Sequence, residues 1–297
     1  MAGEEHRVLV YDVGGSHISA AVFNHENCRL ARVVSAGYPS EQTIETFLDV
    51  LHSLASHAVE SDGRVRGASL AMPGPFEYET GISRIKHKLA YLYGFDLRRS
   101  LADHFGWQPL AVRFLNDAHA FITGEVAAGA GRGVNRVVGI TLGTGVGSGF
   151  AVNGHLVRDG VGVPPGGEIW NYPYQGGILE DQISTRALQK SYREQTGQDR
   201  EVVEIASLAG HDPVSAEVFA QFGRNLGVSL RAVLSAFAPQ AIVLGGGISR
   251  SAHLFLPAAQ AEIGEFAQLR ISALGDEAPL VGAGAAWFEA NRADKAV

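Results

Sequence analysis

Two segments of the sequence share one design, an apolar strand followed by a turn rich in glycine and hydroxyl side chains. The first runs from Val8 to Ser16 and the second from Val137 to Gly145. Glycine lacks Cβ, so it adopts positive φ without strain and lets backbone N–H groups approach an anion closely. Either turn alone is equally well explained as a tight hairpin. Together, at the starts of two halves of the chain, they predict a duplicated phosphate-binding site.

The side chains of these turns suit a nucleoside triphosphate. Ser16, Thr141 and Thr144 would add hydroxyl donors to the backbone N–H groups. Asp12, at the end of the first strand, could hold the Mg²⁺ that accompanies a nucleoside triphosphate, directly or through the water shell of the ion. A third glycine turn, Gly245 to Gly247, follows a later apolar strand.

The composition limits the class of protein. A chain of 297 residues, 46% of them apolar, can bury a large core and predicts two domains. The net charge is −7 and no block of Lys and Arg stands out, so nucleic-acid binding has no electrostatic support. Cys28 is the only cysteine, which excludes an intramolecular disulfide and a cysteine cluster for zinc. With no apolar signal core and no long apolar stretch, we expect a cytoplasmic protein without a membrane segment.

The pattern of apolar residues predicts the same order of elements twice, because a strand meander followed by helices and single strands restarts at Val137. We expect an α/β fold of two duplicated domains with a cleft between them, one of residues 1–120 completed by a helix in 281–297 and one of residues 121–280. The predicted strands are Arg7 to Asp12, Ile18 to Phe23, Leu30 to Ser35, Val65 to Met72, Leu110 to Leu115 and Ala241 to Leu244, with a second meander from Val137 to Leu156. The predicted helices are Glu41 to Val59, Leu97 to Phe105, Ala118 to Gly129, Leu179 to Thr196, Val202 to Ala209, Val214 to Phe237 and Val281 to Asn291.

Asn116 and Asp117 follow a predicted strand, at the position where ligands bind in open α/β sheets. A carboxylate there can take a proton from a hydroxyl group as that group attacks phosphorus, and Asn116 could orient the hydroxyl. The alternative is that the pair only caps the helix that begins at Ala118. The two phosphate turns favour the catalytic interpretation.

Residues 160–177 form a loop rich in glycine and proline, and loops of this length are usually functional. Glu168 lies in this loop, and Glu180 follows it. Carboxylates on such loops suit bidentate hydrogen bonding to vicinal hydroxyls of a sugar, whereas solvated loop acids are the alternative.

The sequence contains neither a Gly-Lys-Ser/Thr phosphate loop nor a His-Glu-x-x-His zinc helix.

Taken in order, these motifs resemble the ROK family of sugar kinases and repressors, within the actin-like ATPase superfamily. The resemblance covers nearly the whole chain, and its order and spacing are specific although no single motif is. It implies two duplicated domains of the actin-like, ribonuclease H-like fold. The motifs are Asp12-Val13-Gly14-Gly15-Ser16, Pro73-Gly74-Pro75, Asn116-Asp117-Ala118-His119-Ala120, Thr141 to Gly149, Gly167-Glu168-Ile169 and Leu244-Gly245-Gly246-Gly247.

The resemblance also implies roles for the residues. Asp117 would be the general base that activates a sugar hydroxyl for attack on the γ-phosphate of ATP. Asn116, Glu168 and Glu180 would hold the sugar, and Gly74 would line its pocket. Mg²⁺ would neutralise the phosphate charge that repels the nucleophile. The implied ATP-binding residues are Asp12, Gly14, Gly15, Ser16, Thr141, Gly143, Thr144, Gly145, Gly245, Gly246 and Gly247.

One stretch departs from the family pattern. After its Gly-Glu motif the family usually has a His that touches the sugar and ligates zinc, and then a Cys-x-Cys-Gly-x-x-Gly-Cys-Leu-Glu segment. Here Asn171 takes the position of the His and Ile178 that of the last Cys, and residues 170–180 contain no cysteine. We therefore expect no zinc site, and a sugar contact from the Asn171 amide. The loop would be stiffened instead by the packing of Trp170, Tyr172 and Tyr174.

The expected function is ATP-dependent phosphorylation of the terminal 6-hydroxyl of glucose or a related hexose. Fructose, mannose, allose and N-acetylhexosamines stay open as the sugar, and so does another phosphate donor. The alternative from another class is a catalytically silent sugar sensor. Family repressors carry an added N-terminal helix-turn-helix, and few residues precede the first strand here, so we expect no DNA binding. A homodimer is compatible with the resemblance, because similar proteins commonly dimerise.

A nicotinamide-dependent dehydrogenase is a weaker interpretation of the glycine turns. The first turn leads into the strand Ile18 to Phe23 rather than into a helix, which breaks the dinucleotide-binding pattern.

Overall fold

The computed structural model describes residues 6–14, 17–38, 42–59 and 64–293. The chain divides into two compact units, and each contains one five-stranded sheet and a hydrophobic core of its own. Unit 1 comprises Met1–Ala128 with Glu277–Val297, and unit 2 comprises Gly129–Asp276.

Unit 1 is built on a sheet with the strand order β3-β2-β1-β4-β7. Strand β2 is antiparallel to β1 and β3, whereas β1, β4 and β7 are parallel. Strand β4 is buried along its whole length because it lies between two neighbouring strands with both faces covered. The elements are β1 (Arg7–Val13), β2 (His17–Asn24), β3 (Arg29–Gly37), α1 (Ile44–Ala58), β4 (Ala68–Met72), β5 (Phe76–Glu77), β6 (Ile82–Ser83), α2 (Leu97–Phe105), β7 (Val112–Asn116) and α3 (Asp117–Ala128).

Unit 2 repeats this sheet with the strand order β10-β9-β8-β13-β14. Strand β9 is antiparallel to β8 and β10, whereas β8, β13 and β14 are parallel. The elements are β8 (Arg136–Leu142), β9 (Val146–Val152), β10 (His155–Val157), β11 (Pro173–Tyr174), β12 (Gly177–Ile178), α4 (Glu180–Ile183), α5 (Thr185–Thr196), α6 (Val202–Leu208), α7 (Pro213–Val233), β13 (Ala241–Gly245), α8 (Ala252–Ile263) and β14 (Gln268–Ile271).

The register of the parallel strands collects the predicted site residues at one edge of each sheet. In unit 1, Asp12 of β1 pairs with Ala71 of β4, and Met72 pairs with Asn116 of β7. In unit 2, Thr141 of β8 pairs with Gly245 of β13. The loops that follow these strands therefore begin side by side, as the carboxyl ends of parallel strands must.

The final helix, α9 (Ala278–Ala293), returns to unit 1 and packs on α3. A Cβ at Gly124 would lie 2.1 Å from the carbonyl oxygen of Ala278, and one at Gly282 would lie 1.8 Å from that of Ala120. Glycine at both positions lets the two helix backbones touch. This contact holds α3, the helix that begins with Asp117.

The structure changes several predicted elements. Leu179 to Thr196 is two helices rather than one, because Ser184 is extended (φ −112°, ψ 175°) and the Thr185 N–H donates to the Gly143 carbonyl. Helix α7 stops four residues before Phe237, at Val233. Helix α8 and strand β14 were absent from the prediction, and Pro257 inside α8 removes the usual helix signal. Among the described residues no helix is both long enough and apolar enough to cross a membrane.

Candidate active site

The first glycine turn follows β1 in unit 1. Asp12 is the penultimate residue of β1 and is partly buried. The Gly14 N–H donates to the His17 carbonyl (3.0 Å), and the Tyr38 hydroxyl donates to the Gly14 carbonyl (2.7 Å). Burial raises the pKa of Tyr38, with smaller contributions from Tyr91 and Asp12, so this hydroxyl stays protonated and keeps its bond to the turn. The predicted site residues Gly15 and Ser16 lie outside the described residues.

Asn116 and Asp117 stand at the junction of β7 and α3. The Asn116 side-chain oxygen accepts the N–H groups of Ala118 (2.9 Å) and His119 (3.2 Å), so Asn116 caps α3. Its amide nitrogen donates to the hydroxyl of Tyr78 (3.2 Å). Asp117 is the exposed first residue of α3, where the helix dipole favours a negative charge. Asp117 Oδ1 also accepts the Ala118 N–H (2.9 Å), so both residues contribute to the cap, and the Asp117 side chain is exposed to solvent.

Tyr78 links this junction to the segment that follows β4. Its hydroxyl donates to the Met72 carbonyl (3.2 Å), and a Cβ at Gly74 would lie 3.6 Å from the same hydroxyl oxygen. Gly74 and Asn116 therefore both lie next to the Tyr78 hydroxyl. Sequence reasoning missed Tyr78, since no motif contains it and the β5–β6 hairpin that carries it was not predicted.

The second and third glycine turns meet in unit 2. The Gly143 N–H donates to the Gly145 carbonyl (3.1 Å), which closes the turn between β8 and β9. Gly246 has φ +81°, and a Cβ there would lie 2.5 Å from the Leu142 carbonyl oxygen. Thr141, Gly143, Thr144, Gly145 and the triplet Gly245–Gly247 thus form one glycine-lined surface at the end of the sheet.

This surface and Asp12 fit the groups that the family implies. Backbone without Cβ atoms is the usual cradle for phosphate oxygens, and Gly145 and Gly246 keep such backbone here because they lie against the Glu180 carboxylate and the Leu142 backbone. Magnesium in proteins is typically held by one or two carboxylates together with substrate phosphates, and Asp12 supplies one carboxylate.

The loop of the predicted sugar-binding acids is tied to β9 by Ser148. Its hydroxyl donates to the Gly167 carbonyl (2.6 Å) and accepts the Ile169 N–H (3.1 Å). These bonds bracket Glu168 on both sides. The Glu168 carboxylate in turn accepts the indole N–H of Trp170 (3.0 Å). Glu168 is therefore displayed on a fixed backbone with one oxygen already oriented.

Glu180 has more partners than Glu168. One oxygen accepts the Val146 N–H (2.9 Å), and the other accepts from the Arg186 guanidinium (2.6 Å). Its own N–H donates to the Trp170 carbonyl (3.0 Å). Sequence reasoning missed Arg186, because an arginine in the first turn of a helix is an ordinary surface residue.

A two-residue hairpin occupies the stretch that departs from the family pattern. Strands β11 and β12 are joined by Gln175 (φ 48°) and Gly176 (φ 81°), the positive pair of angles of a type I′ turn. Trp170 and Tyr172 are 40% and 42% exposed and Tyr174 is half-buried, so these rings pack only in part, and hydrogen bonds also hold the loop. Asn171 is exposed, and its side chain makes no hydrogen bond to the described residues.

Across the described residues, no group of three or more His, Cys, Asp and Glu side chains is placed to hold a metal ion.

A sequence model of the ROK family matches residues 8–290. The chain belongs to the ROK family. It is 31% identical over 267 residues to the N-acetyl-D-glucosamine kinase of Haemophilus influenzae, a match that covers 82% of this chain and 85% of that relative. The crystal structure of the ROK hexokinase from Thermus thermophilus has a TM-score of 0.79 at 27% identity, covering 96% of this chain and 99% of that one. The crystal structure of a ROK family glucokinase from Streptomyces griseus, in complex with glucose and AMPPNP, has a TM-score of 0.76 at 25% identity. The match covers 94% of this chain and 98% of that one.

These matches confirm the ROK resemblance and the expected α/β fold with two duplicated actin-like domains. They also confirm the expected class of enzyme, a sugar phosphotransferase, because the relatives are sugar kinases.

Proposed function

We propose that this ROK protein is an ATP-dependent hexokinase that phosphorylates the 6-hydroxyl of glucose or a closely related hexose. The observation that carries the proposal is the β7–α3 junction, where Asn116 is fixed by bonds on both ends of its amide and Asp117 is exposed beside it. We infer a cytoplasmic location, because ATP, the proposed donor, is available there.

Asp117 acts as the general base in this proposal. Its carboxylate takes the proton of the sugar 6-hydroxyl while the hydroxyl oxygen attacks the γ-phosphorus and ADP leaves. Asn116 and Gly74 line the sugar site, and Tyr78 keeps the Asn116 amide in one orientation. Because Asn116 already caps α3, the helix backbone sets the position of both residues.

The glycine turns bind ATP. The turn after β1, with Asp12, Gly14, Gly15 and Ser16, and the turn after β8 hold the phosphates. Gly245 to Gly247 lie along the adenosine. Asp12 would hold Mg²⁺, which neutralises phosphate charge during transfer. The likeness to a glucokinase solved with AMPPNP supports ATP as the donor.

Glu168, Asn171 and Glu180 recognise the sugar. Carboxylates accept two hydroxyl groups at once, and the Asn171 amide can donate and accept. Relatives include both a kinase of N-acetyl-D-glucosamine and a glucokinase, which supports a hexose or an N-acetylhexosamine as substrate.

A coupled assay of ADP release over a panel of sugars tests the proposal. The panel contains glucose, fructose, mannose, allose, N-acetylglucosamine and N-acetylmannosamine, each with ATP and with polyphosphate as donor. We expect turnover with ATP and at least one glucose-like hexose. Binding of a sugar without turnover of any would instead identify a sugar sensor and reject the kinase.

A further inference from the structure

Glu180 joins three parts of unit 2. One oxygen accepts the N–H of Val146, directly after the phosphate turn, and the other is bound by Arg186 of α5 at 2.6 Å. The backbone of the same residue is tied to the sugar loop through the Trp170 carbonyl. The Glu180 side chain therefore links the phosphate turn to α5, and the Glu180 backbone links both to the sugar loop.

The ion pair of Glu180 and Arg186 is unequal in its exposure. The Arg186 side chain is 67% exposed and that of Glu180 is 16% exposed. Pairs with so exposed a partner contribute about 0–1 kcal/mol to folding, so the stability of unit 2 does not explain the contact. What the arginine does supply is a charged donor that selects one orientation of a mostly buried carboxylate.

The phosphate turn is shaped around that orientation. A Cβ at Gly145 would lie 2.8 Å from the Glu180 oxygen that accepts the Val146 N–H. The carboxylate lies directly against the backbone of the turn, and a Cβ at position 145 would displace it from this orientation. If the Glu180 side chain rotates away, the Val146 N–H loses its acceptor and the turn loses a contact.

We propose that Arg186 is a positioning residue that fixes Glu180 so that one carboxylate both braces the phosphate turn and presents its remaining lone pairs to the sugar. The sugar contact rests on the proposed function, whereas the hydrogen bond from the Val146 N–H to Glu180 does not. Arg186 itself touches neither substrate, so its loss weakens sugar binding more than it slows the chemical step.

Kinetics of Arg186→Ala and Arg186→Lys test the sugar half of the proposal. We expect Arg186→Ala to raise the KM for the sugar roughly tenfold, the effect of about one charge-assisted hydrogen bond, and to leave kcat within about twofold. Arg186→Lys and added guanidinium chloride should each restore part of the lost affinity. The matched control is Arg193→Ala, on the same face of α5, whose 58% exposed side chain pairs with Asp199 instead. An unchanged KM, or a loss that neither lysine nor guanidinium repairs, overturns the proposal.

Hydrogen exchange tests the hydrogen bond between the Val146 N–H and Glu180 without any substrate. We expect the amide of Val146 to exchange at least several times faster in Arg186→Ala than in the wild type, and no change in Arg193→Ala. Equal exchange in all three proteins overturns the positioning role. If the wild type phosphorylates no sugar, the proposed function fails on its own, and the exchange of Val146 still decides what Arg186 does.

Discussion

The two units have the same sheet but fix their functional residues in different ways. In unit 1, Asn116 and Asp117 lie where a strand becomes a helix, and backbone N–H groups of α3 orient them. In unit 2, Glu168 and Glu180 belong to a loop and to a short helix. Their carboxylates are oriented by the side chains of Trp170 and Arg186, and that of Glu180 also accepts the Val146 N–H.

This difference separates two demands on a kinase. A base must meet its hydroxyl in one geometry, and helix and strand ends hold that geometry rigidly. Sugar recognition has to vary among relatives, and side-chain pairs on a loop can be exchanged without rebuilding the sheet. We therefore expect a change at Asp117 to act mainly on kcat and changes at Glu168 and Glu180 to act mainly on KM.

The largest effect should come from the base. Asp117→Asn removes the proton acceptor but keeps the size of the side chain, so kcat should fall by about 10²–10⁴-fold while the sugar dissociation constant changes little. Steady-state kinetics and sugar binding by calorimetry measure the two quantities. Asp103→Asn, an exposed acid of the same unit, is the control. Full turnover in Asp117→Asn would assign the base elsewhere.

A change in the sugar loop should act on binding instead. Glu168→Gln keeps an acceptor for the Trp170 indole but loses the charge, so the KM for the sugar should rise about 10–100-fold with a smaller change in kcat. Glu194→Gln, an exposed acid of α5, serves as the control. If Glu168→Gln lowered kcat and left KM unchanged, the expected difference between Asp117 and Glu168 would be contradicted.

Tyr78→Phe sharpens the role of unit 1. The hydroxyl is a partner of the Asn116 amide and a donor to the Met72 carbonyl, and its loss should cost about 0.5–1.5 kcal/mol, or roughly 2–10-fold in kcat/KM. Initial rates at low sugar concentration report this ratio directly. Activity equal to that of the wild type would show that Asn116 needs no second anchor.

The smallest effect is the pH dependence of stability, which should arise in unit 1. Burial lowers the pKa of His52, which stacks on His104, and that of His25, which also lies near Arg292. The unfolded chain therefore binds these protons more readily, so the stabilisation is present above about pH 6.5 and is lost as the pH falls through the lowered folded values. Urea unfolding at about pH 7.5 and 5.5 measures this loss. It should shrink in His52→Gln and persist in His57→Gln, a change of an exposed histidine on the same helix.

Much of the fold was accessible from the sequence because its signals are local. Alternating apolar residues and glycine turns predicted the strands of both meanders, and Leu97–Phe105 is a helix with the predicted bounds. Helix α8 escaped prediction because a proline interrupts it, and the break at Ser184 escaped because its cause is a bond to distant Gly143. Residues of the candidate site were found where a motif carries them. Tyr78 was missed because its partner Asn116 is remote in the chain, and Arg186 because its contact with Glu180 depends on the break at Ser184 between α4 and α5.

The sequence by itself was enough to identify the family and its class of chemistry. The features that did so are the glycine turns, a strand ending in Asn-Asp and a loop without cysteine, and each consists of residues adjacent in the chain. Only the tertiary structure shows that the Glu180 carboxylate accepts hydrogen bonds from both Val146 and Arg186, and that Gly246 lies against Leu142. The second and third glycine turns, after β8 and β13, thus became one surface of unit 2 only through strand register. The contacts of Glu180 with Val146 and of Gly246 with Leu142 join residues remote in the chain, and their geometry depends on how the whole unit packs, which no local pattern encodes.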